Sequence, residues 1–211
     1  MVDFTQQLQA IGQLIDQGQL QQAALALNEA QKQHPKDARV ALVGVRLAER
    51  AGNLPGAVQA ARRAVALEPG WFVAVTELAL QLAAQGQFSE AMEHARHAVA
   101  LAPKEPRVLH AAANVAEGAG NRRQALTWAQ TALQLDPQNH PLRLDYAGML
   151  YRERQYKQAQ DEYNRVLQAQ PGNENALKSL LTCALQLGDQ SEAQRLADVL
   201  IIRSPDDEQV R

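Results

Sequence analysis

What this 211-residue chain has little of narrows its class before any motif is read. Aromatic residues make up 4 % of it, and there is one cysteine, Cys183. A single thiol excludes an intrachain disulfide, which a helical architecture does not need in any compartment. No uninterrupted apolar run approaches the roughly 20 residues of a membrane-spanning helix, so direct membrane insertion is not expected. The N-terminus, Met1-Val2-Asp3-Phe4-Thr5, has neither the basic start nor the apolar core of a secretory signal, and a cytoplasmic or a periplasmic location both stay open. An excess of charge is also missing. Lys and Arg number 21 against 23 Asp and Glu, and a net charge of -2 gives no general attraction to nucleic acid or to an anionic membrane. β-Branched residues are sparse, while alanine, leucine and glutamine are abundant. That mixture favours helix over strand, and a hydrophobic content of 46 % is enough to build a core.

What is present is a period. Pro35, Pro69, Pro103, Pro137, Pro171 and Pro205 follow one another at intervals of 34 residues. Ala23, Ala57, Ala91, Ala125, Ala159 and Ala193 keep the same interval, as do Gly18, Gly52, Gly86, Gly120 and Gly188, with Arg154 in the remaining glycine slot. Each column has a physical reason. Proline lacks a backbone N–H and disfavours helix in the residue before it, so it closes a second helix in each repeat. Glycine reaches the left-handed conformation that ends a first helix. Alanine near the start of the second helix lets the two helices of a repeat pack closely. Asp3, Asp37, Asn139 and Asn173 stand where first helices begin and suit N-caps, and Pro55 opens a second helix. First helices are predicted at about 5–17, 39–51, 73–85, 107–119, 141–153 and 175–187. Second helices are predicted at about 21–33, 55–67, 89–101, 123–135, 157–169 and 191–203.

The period and the Gly, Ala and Pro columns resemble the tetratricopeptide-repeat (TPR) family. Its bulky second-helix column holds Tyr163 here but Leu27, Ala61, Ala95, Ala129 and Ala197 elsewhere. The resemblance implies an all-α fold, a right-handed α-solenoid of six helix-turn-helix repeats at 4–37, 38–71, 72–105, 106–139, 140–173 and 174–207. It treats 1–207 as a single array. Residues 208–211 would begin a truncated seventh helix, with Asp207 in the N-cap column. That reading leaves Leu196, Val199, Leu200 and Ile201 uncovered, as in a piece cut from a longer protein or an end that self-associates.

Catalytic patterns are scarce. Cys183 sits inside a first helix with no histidine in its repeat and reads as a buried, inert thiol. Glu90, His94 and His97 share one helix face but lack the zincin order, and read as a solvated face rather than a metal site. There is no glycine-rich phosphate loop, and no catalytic residue, cofactor or metal is expected.

The family resemblance further implies that first helices line a concave groove facing a ligand. The groove residues would be Arg39, Leu42, Arg46 and Arg50 in repeat two, and Thr76 and Leu80 in repeat three. Arg107, His110 and Asn114 follow in repeat four, then Tyr151 and Arg152 in repeat five. Arginine forks suit carboxylates, and small residues leave room for apolar anchors. The expected function is a protein-protein interaction scaffold that binds a partner peptide or protein. The alternative is an assembly or substrate-presenting region of a larger bacterial transferase, secretion or exopolysaccharide-export protein.

Overall fold

The computed structural model describes residues 3–203, and the described residues form twelve α-helices and no strand. The first helices of the repeats are α1 (Phe4–Asp16), α3 (Ala38–Arg50), α5 (Phe72–Ala84), α7 (Pro106–Gly118), α9 (His140–Arg152) and α11 (Glu174–Leu187). The second helices are α2 (Leu20–Gln33), α4 (Leu54–Leu67), α6 (Phe88–Leu101), α8 (Arg122–Leu135), α10 (Tyr156–Ala169) and α12 (Gln190–Arg203). This is the all-α helix-pair architecture that the period predicts, with every described helix starting one residue earlier than expected. Pro205 and the expected seventh helix at Asp207 lie outside the described residues.

Helix ends follow the columns. Asp3, Asp37, Asn139 and Asn173 each accept a backbone N–H with the side chain, satisfying donors that a helix start leaves open. Asn53 does the same for α4, accepting from Gly56 N at 3.0 Å, with Pro55 in the first turn. At the far ends, His34, Glu68, Ala102 and Gln170 leave helical geometry directly before a proline, with φ from -129° to -138°.

The first helices close on a left-handed residue. Gly188 has φ +74°, and Asp189 N donates to Ala184 O at 3.0 Å, tying the chain back to the last turn. Arg154 completes the same motif without a glycine. Its φ is +59°, and Gln155 N reaches Leu150 O at 2.9 Å. A side chain held there costs on the order of 1 kcal/mol. Arg154→Gly should therefore raise the midpoint of urea unfolding; a clear fall would mean that the arginine side chain contributes more than its backbone strain costs.

Two compact units emerge from the backbone, Met1–Asn121 and Arg122–Arg211. In the first, each helix packs on its sequence neighbour from α1 to α7. First helices also touch one another there, α1 with α3, α3 with α5 and α5 with α7. In the second unit, α8 to α12 pack in the same serial way, and α9 touches α11. The alanine column lies inside both units. Ala23, Ala57, Ala91 and Ala159 are fully buried, and Ala125 and Ala193 nearly so. Ala125→Leu should thus force the helices apart and cost about 1–3 kcal/mol, read as a lower thermal midpoint.

The expectation that Leu196, Val199 and Leu200 lie uncovered is corrected, while Ile201, expected to be uncovered with them, is exposed. Leu196 and Leu200 are fully buried in a cluster with Tyr163, Val166 and Leu180, and Val199 packs against that cluster. The cause is helical phase: α12 packs on α11 and turns Leu196, Val199 and Leu200 into that cluster. Exposure falls on Leu185, Ile201 and, most of all, Ile202 at 81 %.

Candidate partner-binding surface

Because first helices touch across repeats, their outer faces form a joined surface within each unit. In the first unit the predicted arginines stand on that surface, but two already have carboxylates. Arg39 grips the Asp37 carboxylate with Nη2 at 2.7 Å and Nε at 3.0 Å, and its guanidinium lies 5.1 Å from the Phe4 ring centre. This pairing holds the Asp37 carboxyl below its usual range. Arg46 reaches back one repeat to Asp16 Oδ1 at 3.0 Å. Arg50 donates at 3.5 Å to the Asp16 carbonyl, a long bond that satisfies the end of α1. Arg107 forms no ion pair among the described residues.

The other predicted residues divide between packing and surface. Leu42 packs against a core of Ala41, Ala64 and Ala74. The Thr76 hydroxyl donates to Phe72 O at 2.7 Å, within its own helix. Leu80 and His110 are half-buried and Asn114 is exposed. In the second unit, Tyr151 packs against the core and its ring lies 5.2 Å from that of Tyr156, while Arg152 is exposed.

Sequence reasoning missed a polar group in the middle of the first unit's surface. Gln81 is 4 % exposed, and its amide nitrogen donates to Glu49 Oε1 at 2.6 Å and to Glu77 Oε1 at 2.7 Å. Burial pushes the Glu77 carboxyl above its ordinary range; the amide bond opposes that and the Glu49 charge adds to it. The signal was there to read. Glu77 and Gln81 stand four apart in a helix that is otherwise almost wholly apolar, FVAVTELALQLAA. Beside them a cleft of about 260 Å³ opens between the N-terminal halves of α5 and α7. It is lined by Phe72, Val73, Thr76 and Val108 together with the charged side chains Glu77, Glu105 and Arg107.

Three sequence models of the tetratricopeptide repeat tile the chain, over residues 13–70, 72–115 and, in two overlapping copies, 116–182 and 150–211. The chain belongs to the tetratricopeptide-repeat family. Solved TPR-like structures agree with the fold. PilW, described as a widely conserved type IV pilus biogenesis factor, superposes with a TM-score of 0.90 at 17 % identity, over all of this chain and 97 % of that one. PilF of Pseudomonas aeruginosa gives 0.80 at 21 % identity, over 97 % of this chain and 93 % of that one. YrrB, described as a TPR protein with an unusual peptide-binding site, gives 0.68 at 17 % identity, over 88 % and 95 %. No curated protein matches the chain.

Away from the first-helix surface, Cys183 is enclosed, Glu90 is engaged and His97 is exposed. Cys183 is fully buried, and burial pushes its thiol up to about 11, so it stays protonated and unreactive at neutral pH. Glu90 is held by both guanidinium nitrogens of Arg62, at 2.6 and 2.8 Å, with His94 Nε2 at 3.8 Å. A carboxylate clamped in this way holds its charge below the usual range and is not offered to a metal. No described helix is long and apolar enough to cross a membrane.

One contrast between repeats concerns the space between successive second helices within each unit. In the first unit, Ala41, Gly44 and Ala60 leave a cleft of about 350 Å³ between α2 and α4. Three repeats later, the same columns hold Arg143, Tyr146 and Glu162, and the corresponding cleft in the second unit, about 290 Å³, is lined by these larger, polar side chains.

Proposed function

We propose that this chain is a non-catalytic scaffold that holds a protein or peptide partner against its first-helix surface. The observation that carries the reading is the cleft between α5 and α7: an open, apolar-walled space bordered by charged side chains, with Arg107 unpaired beside it. A surface that only had to be soluble would not need apolar walls around a cleft. The peptide-binding site ascribed to YrrB is consistent with this use of the fold. Within the predicted set, Arg107, Leu80 and Asn114 in the first unit are the residues to contact a partner, with Tyr151 and Arg152 offering contacts in the second. Arg39 and Arg46 serve mainly to join neighbouring repeats.

The test places a photoreactive amino acid at Leu80 or Asn114, and separately at Gln59 on a second helix, in cells of the source organism. A partner that crosslinks from Leu80 and Asn114 but not from Gln59, and is lost in Arg107→Glu, supports the reading. Crosslinking from Gln59 alone would move the site to the second helices. Arg46→Glu is the poorer probe because it also breaks the pair with Asp16.

A second reading follows from the match over nearly the full length of both chains with PilW and PilF. The partner would then be a component of a bacterial surface machine, and the scaffold an assembly factor for it. Loss of surface pili on deletion of the gene, restored by the wild-type chain, would support this reading; unchanged piliation would sink it.

A further inference from the structure

We infer that the cleft between α5 and α7 receives a basic side chain, lysine or arginine, from the partner segment. The inference rests on the scaffold reading and reverses the sign of the partner feature that the arginines of the sequence suggest. Those arginines are largely matched: Arg39 by Asp37 and Arg46 by Asp16. The cleft itself has two carboxylates, Glu77 and Glu105, against one guanidinium, Arg107. Neither carboxylate has a cationic partner within 4.0 Å among the described residues.

The apolar walls matter as much as the charge. A lysine or arginine carries three or four methylene groups before its charged head, and such stems suit a lining of Phe72, Val73 and Val108 that also presents Glu77 and Glu105 to the head. Gln81 strengthens the preference. Its amide nitrogen faces Glu49 and Glu77, so both N–H groups are engaged and cannot meet an incoming carboxylate. A half-buried Glu77 with only an amide for company lacks a counter-charge, and an ammonium or guanidinium supplies one. An acidic side chain entering the same space would meet Glu77 and Glu105 before it satisfied Arg107.

The experiment titrates the isotope-labelled full chain with three small probes, the N-acetyl methylamides of lysine, norleucine and glutamate, and follows backbone amide shifts. The lysine probe is expected to shift Val73, Thr76 and Val108, and to bind about tenfold more weakly to Glu77→Gln/Glu105→Gln. That variant keeps side-chain size, and its unchanged amide spectrum elsewhere would show that it folds. Equal shifts with norleucine would reduce the site to an apolar cleft and overturn the inference. Preferential binding of the glutamate probe, lysine binding indifferent to the double variant, or no response to lysine at all would also overturn it. Crosslinking from Leu80 separates this from the scaffold reading. A partner captured equally by the wild type and by Glu77→Gln/Glu105→Gln keeps the scaffold and removes the basic side chain.

Discussion

Leu180→Ala should destabilise the second unit by roughly 2–5 kcal/mol, toward the upper end of that range. Leu180 is 1 % exposed and lies in the cluster that joins α9, α10, α11 and α12. Many of its neighbours are alanines, among them Ala147, Ala159, Ala176 and Ala184. An alanine has no further side chain to swing into a cavity, so the space left by the leucine stays open and its walls lose their contacts. The measurement is urea unfolding in a Trp71→Phe background, where Trp128 of α8 is the remaining tryptophan and reports the second unit. A loss below about 1 kcal/mol would mean that the helices close over the gap, and that the alanine-rich packing is softer than its burial indicates.

The same alanines explain why the fold was so legible. A repeat that relies on small residues at fixed crossings tolerates little shift in register, so Ala, Gly and Pro recur in strict columns that can be read without any contact in view. Even the exception was readable: the missing glycine at Arg154 coincides with a left-handed residue that is not glycine. The phase of the last helix was less legible. Leu196 and Leu200 looked uncovered because the sequence shows where a repeat stands, but not which way α12 rolls on α11.

The candidate surface was readable in position and misleading in charge. Repeat register placed Arg39, Arg46, Arg50 and Arg107 on first helices, and the structure keeps them there. What register does not show is which of them already have a partner. Asp16 and Arg46 are 30 residues apart and meet because adjacent first helices touch. Arg39 meets Asp37 two residues away, so one carboxylate both caps α3 and holds the arginine. The surface therefore offers a partner less positive charge than its arginine count suggests. The less conspicuous Glu77 and Gln81 acquire importance because they are polar groups that α5 had to accommodate among apolar neighbours.

Glu162→Ala should be the other costly substitution. Glu162 bridges Arg143 and Arg165, and Arg143 also donates to Pro137 O at 2.6 Å. The side chains of Arg143 and Glu162 are 12 % and 13 % exposed, so removing the carboxylate leaves a guanidinium mostly out of water with one carbonyl for company. Breaking a fully buried pair in this way costs about 3–5 kcal/mol, and the residual exposure here brings the expectation toward the lower figure. Arg165→Ala is the control; with that side chain 60 % exposed, the loss should stay within about 1 kcal/mol. The decisive variant removes both partners. Arg143→Ala/Glu162→Ala recreates the Ala41 and Ala60 of repeat two, where the same columns carry no charge and the helices still pack. The double variant should therefore recover much of what Glu162→Ala loses, because no unpaired guanidinium remains. If it is instead as unstable as the single variant, the pair does more than compensate its own burial. It would then be what holds α9 against α10 in a repeat whose cleft, unlike that of repeat two, is lined by a charged pair.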